Sequence, residues 1–331
     1  SRHWTSMNEI YFDPDILAIR ESVRQFRDRH VAPLVEDCDA NERFPIELLE
    51  PLLEAGILRM PLPQAYGGMD ANCQTLSVVI EEISVAMPAL GSVLLSCFSP
   101  MRIVAAVAQP HQREAFHRLI TSKPMLLAFC LSEPEVGSDA RAMRTRAERR
   151  GGGWVLNGRK RWISSATVAG SYLVFARTGA GREDISCFVV PADAKGLSFG
   201  KPERKMGFRA QVLADVVFDE VEIADDCLIG DVGGGWRALT MVANTMRCWG
   251  AAAIATGLAR AALDAATHYA NQREAFGRTI GKFQGVSFKL ADMAIALRQS
   301  QLLLRDTNWR VDNELPDVTA RTQAQVSMPK C

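Results

Sequence analysis

The hydrophobic period of this chain changes twice, and that change limits the possible folds more than any single motif does. In the first third, Asp13-Pro14 supplies an N-cap and a first-turn proline. Ile16, Ile19, Val23 and Phe26 then recur at three- and four-residue steps, which predicts an amphipathic helix stopped by Pro33. Between Pro45 and Gly56, the run IELLEPLLEAG reads as a short buried helix with a break at Pro51 and a C-cap at Gly56. Leu76, Val79, Ile80 and Ile83 give a further helical stripe, and the neighbouring Glu81 and Glu82 are read as a solvated face.

From about 125 the period shortens to that of strands. Trp154-Val-Leu, Tyr172 to Phe175, Ile185 to Val190 and Val216 to Phe218 are β-compatible runs separated by glycine, proline and charged turns. Asn157-Gly158 is read as a two-residue hairpin turn, because both residues tolerate positive φ, and 177–184 as an exposed hairpin loop. Helical spacing returns after Gly233-Gly-Gly235. Ala252 to Ala266 offers small side chains for close packing, and Phe283, Val286, Leu290, Met293, Leu297 and Leu304 trace a stripe for a core or a subunit interface. The fold class is therefore α+β. An N-terminal helical domain (7–123) and a central β domain (124–233) are followed by a C-terminal helical bundle (234–331), expected to be incomplete within this chain. SRHWTS at the start reads as an irregular terminus, and TARTQAQVSMPKC at the end lacks a completed helical partner.

The 38 Lys and Arg residues are balanced by 38 Asp and Glu, which argues against a polyanion-binding surface and hence against nucleic acid. Ile83 to Met101 has the length of a membrane span. Its prolines, glycine and serines make it a buried helix instead, so no integral membrane contact is expected. Eight cysteines without a C-x-x-C pair are read as free thiols in a reducing compartment. With no basic-then-apolar signal segment at the start, the expected location is cytoplasmic. Five histidines lack metal-ligand spacing, so no metal is expected. Dinucleotide, P-loop and nucleophile-elbow glycine motifs are all missing.

Three blocks carry candidate chemistry. Phe129-Cys-Leu-Ser-Glu-Pro-Glu-Val-Gly-Ser-Asp139 combines hydroxyls at Ser132 and Ser138 with a glycine that lets backbone approach a ligand. Arg159 to Ser164 sets Trp162 beside a basic turn and a hydroxyl, although Trp162 equally suits a sheet core. Arg273 to Ile280, with Phe283-Gln284 following, pairs an arginine able to bind phosphate with a phenylalanine able to pack a ring. Arg273 alone reads first as a solvated ion pair.

Together with Ala65 to Gly68 and GLARAALD at 257–264, these blocks resemble the acyl-CoA dehydrogenase family over almost the whole chain. The resemblance implies FAD held between domains and completed by a neighbouring subunit of a homodimer or homotetramer. Phe129, Leu131, Ser132, Gly137, Ser138, Trp162, Ile163 and Ser164 would form the near-subunit flavin wall, with Ser138 also near the thioester carrier arm. Arg273, Phe276, Ile280 and Phe283 would meet the neighbouring subunit's FAD, with Arg273 near its pyrophosphate. The implied reaction is α,β-dehydrogenation of an acyl thioester, acyl-CoA or acyl-ACP, with electrons passed to an electron-transfer flavoprotein. A flavin-dependent oxidase or monooxygenase, or a non-catalytic binding or assembly protein, are the alternatives on the same fold.

The resemblance leaves the catalytic base unassigned. In much of the family it is a glutamate on a late segment that this chain does not reach. In another branch it precedes the alanine-rich run at a position occupied here by Arg247, whose guanidinium stays protonated, and the usual family arginine falls at Cys248. Glu135 and Val136 are larger than the residues common in the first flavin loop.

Overall fold

Asp13 caps the first helix as its sequence requires: its Oδ1 accepts from the Ile16 N–H at 2.8 Å, and Pro14 opens α1 (Pro14–Phe26). The computed structural model describes residues 12–313, so expectations for the first six residues and for the segment from Thr319 fall outside it. Ile16, Val23 and Phe26 are buried along α1 and Ile19 is half-buried. Pro33 does not stop the helical path. A π-helical turn over Arg27–Val31 and a 3₁₀ turn over Ala32–Leu34 carry the chain into α2 (Val35–Ala40), and the wider first turn accommodates the proline. Pro51 lies in the first turn of α3 (Leu49–Glu54), where no intrahelical N–H is needed, so the expected break is absent. Gly56 follows in the left-handed conformation with φ 73°.

By contacts the chain divides into two compact units. One contains residues 12–33, 72–92 and 245–313 of the described chain; the other contains 34–71 and 93–244. In the first unit α1 packs on α4 (Cys73–Ala86), which Asn72 caps through the Thr75 N–H. Glu81 and Glu82 of α4 are not solvated, as the sequence reading held, but 5% and 1% exposed. Arginines from two other helices make this burial tolerable. Arg27 reaches Glu82 at 2.9 Å, and Arg260 grips Glu82 through both terminal nitrogens at 2.9 and 2.6 Å and Glu81 at 3.3 Å.

The second unit takes most of α5 (Pro88–Val107), α6 (Pro110–Thr121) and the sheet. Among the described residues α5 alone is long and apolar enough to cross a membrane, with mean hydropathy 1.7, and Val93, Leu94, Cys97, Phe98 and Met101 along it are buried in the protein. The strands are β1 (Leu127–Cys130), β2 (Arg146–Arg150), β3 (Gly153–Ser164), β4 (Ser171–Arg177), β5 (Ile185–Pro191), β6 (Leu197–Phe199), β7 (Leu213–Ala224) and β8 (Leu228–Ile229). They pair in the order β6-β7-β3-β2-β4-β5-β8, with β1 parallel to β4. The apolar runs read from the sequence lie in β3, β4, β5 and β7.

Asn157-Gly158 is not the hairpin turn. Both residues lie inside β3 at a register shift against β7, and the β2–β3 turn is made by Gly151 and Gly152, with φ 59° and 87°. The glycine at 158 answers to a close approach instead: a Cβ there would stand 2.6 Å from the Thr145 Cα.

Helical structure resumes with α7 (Gly235–Met246), a π-helical segment over Arg247–Ala252, and α8 (Ala253–Gln272). Gly257 of α8 meets α4 closely, since a Cβ there would lie 2.5 Å from the Glu81 carbonyl oxygen, which is the close packing that small residues predict. A short hairpin, β9 (Glu274–Ala275) and β10 (Arg278–Thr279), leads to α9 (Gln284–Asp312). The α9 stripe is only partly internal: Leu304 is buried, Phe283, Val286, Leu290 and Leu297 are half-buried, and Met293 is exposed.

Candidate functional site

The site begins where β3 loses its regular register against β7, between Lys160 and Ile163. Regular alternation would bury Trp162 or pair it across the sheet. The irregularity instead places Trp162 at φ 57° with its side chain 55% exposed, while the flanking Lys160 and Ile163 are buried. A positive φ is a genuine outlier for a bulky residue and costs about 1–3 kcal/mol. Arg161 lies over the indole at 5.3 Å. Ser165, also at positive φ (62°), closes the turn through its N–H to the Val212 carbonyl at 2.8 Å. Its hydroxyl is buried and has no hydrogen-bond partner among the described residues. Gln211 donates to the Ser164 hydroxyl at 2.8 Å.

The loop after β1 lies against this turn. The Arg161 N–H donates to the Ser132 carbonyl at 2.9 Å, which brings Ser132 beside the strand that carries Trp162. Glu133 and Val136 exchange two backbone hydrogen bonds at 2.9 and 3.1 Å, forming a tight turn before Gly137 and Ser138, both exposed. Val136 is buried beneath that turn and Glu135 pairs outward with Arg144 at 2.6 Å, so neither larger residue occupies the space over Gly137. Phe129 is half-buried on β1, edge-on to Phe175 at 5.5 Å.

Sequence reasoning missed what fixes this loop. Lys160 was read only as part of a basic turn, yet it is fully buried and donates to Glu133 at 2.8 Å and to the Leu131 carbonyl at 3.0 Å. Glu133 also accepts from the Arg144 and Thr145 N–H groups at 2.6 and 3.0 Å. Burial alone would raise the Glu133 pKa, but the Lys160 charge and these hydrogen bonds outweigh it and hold the carboxyl below its ordinary range. The available signal was spacing: Lys160 lies two residues before Trp162 on one strand, so both point to one face unless the strand is irregular.

The second cluster belongs to the other unit. Phe276 and Gly277 form the two-residue turn of the β9–β10 hairpin, both at positive φ (53° and 73°), and Phe276 is 95% exposed at its tip. Phe283 lies edge-on to Phe276 at 6.1 Å and beneath Arg278 at 4.1 Å. The Ile280 N–H donates to the Arg273 carbonyl at 2.8 Å, so the hairpin gathers Arg273, Phe276, Ile280 and Phe283, with Arg273 exposed. In the π-helical segment Arg247 is exposed while Cys248 and Trp249 are buried. Burial pushes the Cys248 thiol up to about 11, so it is a poor nucleophile there.

The strained aromatic turn thus stands on a sheet that helical segments precede and follow along the chain. Residues 13–123, 128–221 and 233–331 match the N-terminal, middle and C-terminal domains of acyl-CoA dehydrogenase, and the chain belongs to that family of oxidoreductases. It is 33% identical over 334 residues to the mitochondrial short-chain specific acyl-CoA dehydrogenase of Mus musculus, covering 98% of this chain and 81% of that protein. It is also 33% identical over 306 residues to the 3-(aryl)acrylate reductase of Clostridium sporogenes, covering 92% and 81%. Butyryl-CoA dehydrogenase from Megasphaera elsdenii superposes with a TM-score of 0.89 at 28% identity, covering 96% of this chain and 83% of that one. The cytoplasmic location expected from the cysteines does not stand, because the short-chain enzymes of mouse, rat, cattle and human that the chain resembles are mitochondrial. Free thiols do not distinguish one reducing compartment from another.

Proposed function

We propose that the protein catalyses FAD-dependent α,β-dehydrogenation of an acyl thioester, with acyl-CoA as substrate and an electron-transfer flavoprotein as acceptor. The observation that carries this reading is the strained, outward-facing Trp162 on the β3 irregularity beside the Ser132 loop, within a chain of this family. The side chains suit a flavin. An exposed indole face, the Ser132 and Ser164 hydroxyls and the orphaned Ser165 hydroxyl offer one apolar surface and several donors along the edge of a planar polar ring. Leu131, Ser132, Gly137, Ser138, Trp162, Ile163 and Ser164 would hold the isoalloxazine, with Phe129 backing them, and Ser138 would also meet the thioester carrier arm. Arg273, Phe276, Ile280 and Phe283 would contact the FAD of a neighbouring subunit, the arginine at its pyrophosphate.

When bound, FAD supplies a hydride acceptor for the substrate β-carbon. The chain's own residues orient that acceptor and exclude water: Trp162 covers one region, and the Ser132 loop is held against β3. Removal of the α-proton needs a carboxylate. Arg247 carries a guanidinium and not a carboxylate, so that role is assigned to none of the described residues. Exposed Leu258, Tyr269, Phe276, Phe288, Ile295 and Trp309 on α8, the hairpin and α9 support a homodimer or homotetramer. The second reading is the same hydride exchange run reductively, favoured by the likeness to the Clostridium reductase.

The test uses the FAD-loaded full chain with panels of acyl-CoA, acyl-ACP and enoyl thioesters, identifying products and comparing electron-transfer flavoprotein with oxygen as acceptor. Enoyl-CoA formed with the flavoprotein is expected. Turnover only with oxygen would replace the dehydrogenase reading with an oxidase, and turnover only of enoyl thioesters would establish the reductive one.

A further inference from the structure

We propose that the buried Lys160–Glu133 pair is a positioning device that fixes the Leu131–Ser132 peptide for contact with the flavin; this rests on the FAD-dependent reading above. A buried ion pair is by itself weak evidence of stabilisation, since well-packed apolar residues of similar volume are often as stabilising or more so. What distinguishes this pair is where its hydrogen bonds go. The Lys160 ammonium, with no exposed surface, bonds the Leu131 carbonyl at 3.0 Å as well as the Glu133 carboxylate at 2.8 Å. Glu133 is anchored in turn by the Arg144 and Thr145 N–H groups at 2.6 and 3.0 Å, so the pair ties three chain segments to one point.

The consequence follows from peptide geometry. In a planar trans peptide the carbonyl oxygen and the next N–H point to opposite sides. With the Leu131 oxygen drawn to Lys160, the Ser132 N–H is turned away from the ammonium, and the neighbouring Ser132 carbonyl is held by the Arg161 N–H at 2.9 Å. Two successive carbonyls are therefore committed inward to β3. The Ser132 N–H and hydroxyl have no partner among the described residues. Trp162 follows Lys160 by two residues across the strand irregularity, so one buried ammonium sets the loop at the root of the strand segment that carries the exposed indole.

Three variants separate positioning from structural support: Lys160→Met, Glu133→Gln, and the two combined. Lys160→Met leaves Glu133 buried without its counter-charge and is expected to lower both Tm and FAD affinity, the latter at least tenfold. Glu133→Gln keeps an acceptor for the backbone N–H groups and removes the charge. The double variant is therefore expected to regain most of the lost Tm while FAD affinity stays reduced, the bound flavin's absorption maxima and midpoint potential stay shifted, and the amides of 131–133 exchange faster with deuterium. Recovery of FAD affinity together with Tm would make the pair a structural support only and overturn the proposal. So would unchanged affinity and flavin spectrum in Lys160→Met. A wild-type chain that takes up no FAD at all would overturn the reading beneath it, an outcome distinct from either.

Discussion

Trp162 is held in a backbone conformation that glycine adopts freely and tryptophan does not, and it keeps half its surface in water. Strain and exposure at one residue are both unfavourable, so the fold gains nothing from them locally. Replacing Trp162 with Gly relieves the strain and removes the indole. The expected result is a Tm equal to or above that of the wild type, with FAD affinity reduced at least tenfold, measured by thermal unfolding without flavin and by flavin titration. A clear fall in Tm would show that the indole supports the fold. The sequence made Trp162 visible as a candidate but left it between sheet core and ligand surface, because alternation along a strand is the stronger expectation and the irregularity that breaks it depends on pairing with β7, which is remote in sequence.

At the scale of elements, the π-helical turn after α1 meets α4 and α8 through charge. Glu82 receives Arg27 and Arg260 at 2.6 to 2.9 Å while 1% exposed, so Glu82→Gln leaves two guanidinium groups short of a counter-charge. A loss of about 3–5 kcal/mol is expected from such a broken buried pair, read as a lower denaturant midpoint with unchanged slope. A loss under about 1 kcal/mol would mean that the arginines find water. Glu81 and Glu82 were misread for a definite reason. Their partner Arg260 lies nearly 180 residues away, and local spacing carries no information about it. Asn157-Gly158 was misread differently: its conformational freedom was recognised, but that freedom serves a close approach to Thr145 as well as a turn, and the adjacent Gly151-Gly152 made the turn. The helices, the main strands and the Gly56 cap were legible because they rest on local periodicity and local backbone chemistry. The short strands β1, β6 and β8 were not, since they are too brief to show a period.

Acid should destabilise the molecule in two stages. His117, on α6 against Tyr66 at 4.1 Å, has its pKa lowered from the ordinary 6.5 by burial and, secondarily, by the Arg113 charge. The unfolded chain therefore binds the extra proton first, and stability falls as pH drops below about 6.5. Glu133, held below its ordinary 4.5, adds a second loss as pH falls below that value. His117→Gln should flatten the first stage in a plot of Tm against pH between 7.5 and 5 and leave the second intact; an unchanged slope would remove His117 from the account.

The helix, sheet, helix order read from changing periodicity is the order observed, and the family resembled by the motifs is the one whose three domains the chain matches. The chemistry assigned to that order is tested most directly by anaerobic titration of the FAD-loaded full chain with butyryl-CoA while flavin absorption is recorded. The account predicts bleaching of the flavin band with formation of the α,β-unsaturated thioester. A flavin that dithionite bleaches but no acyl-CoA does would contradict it.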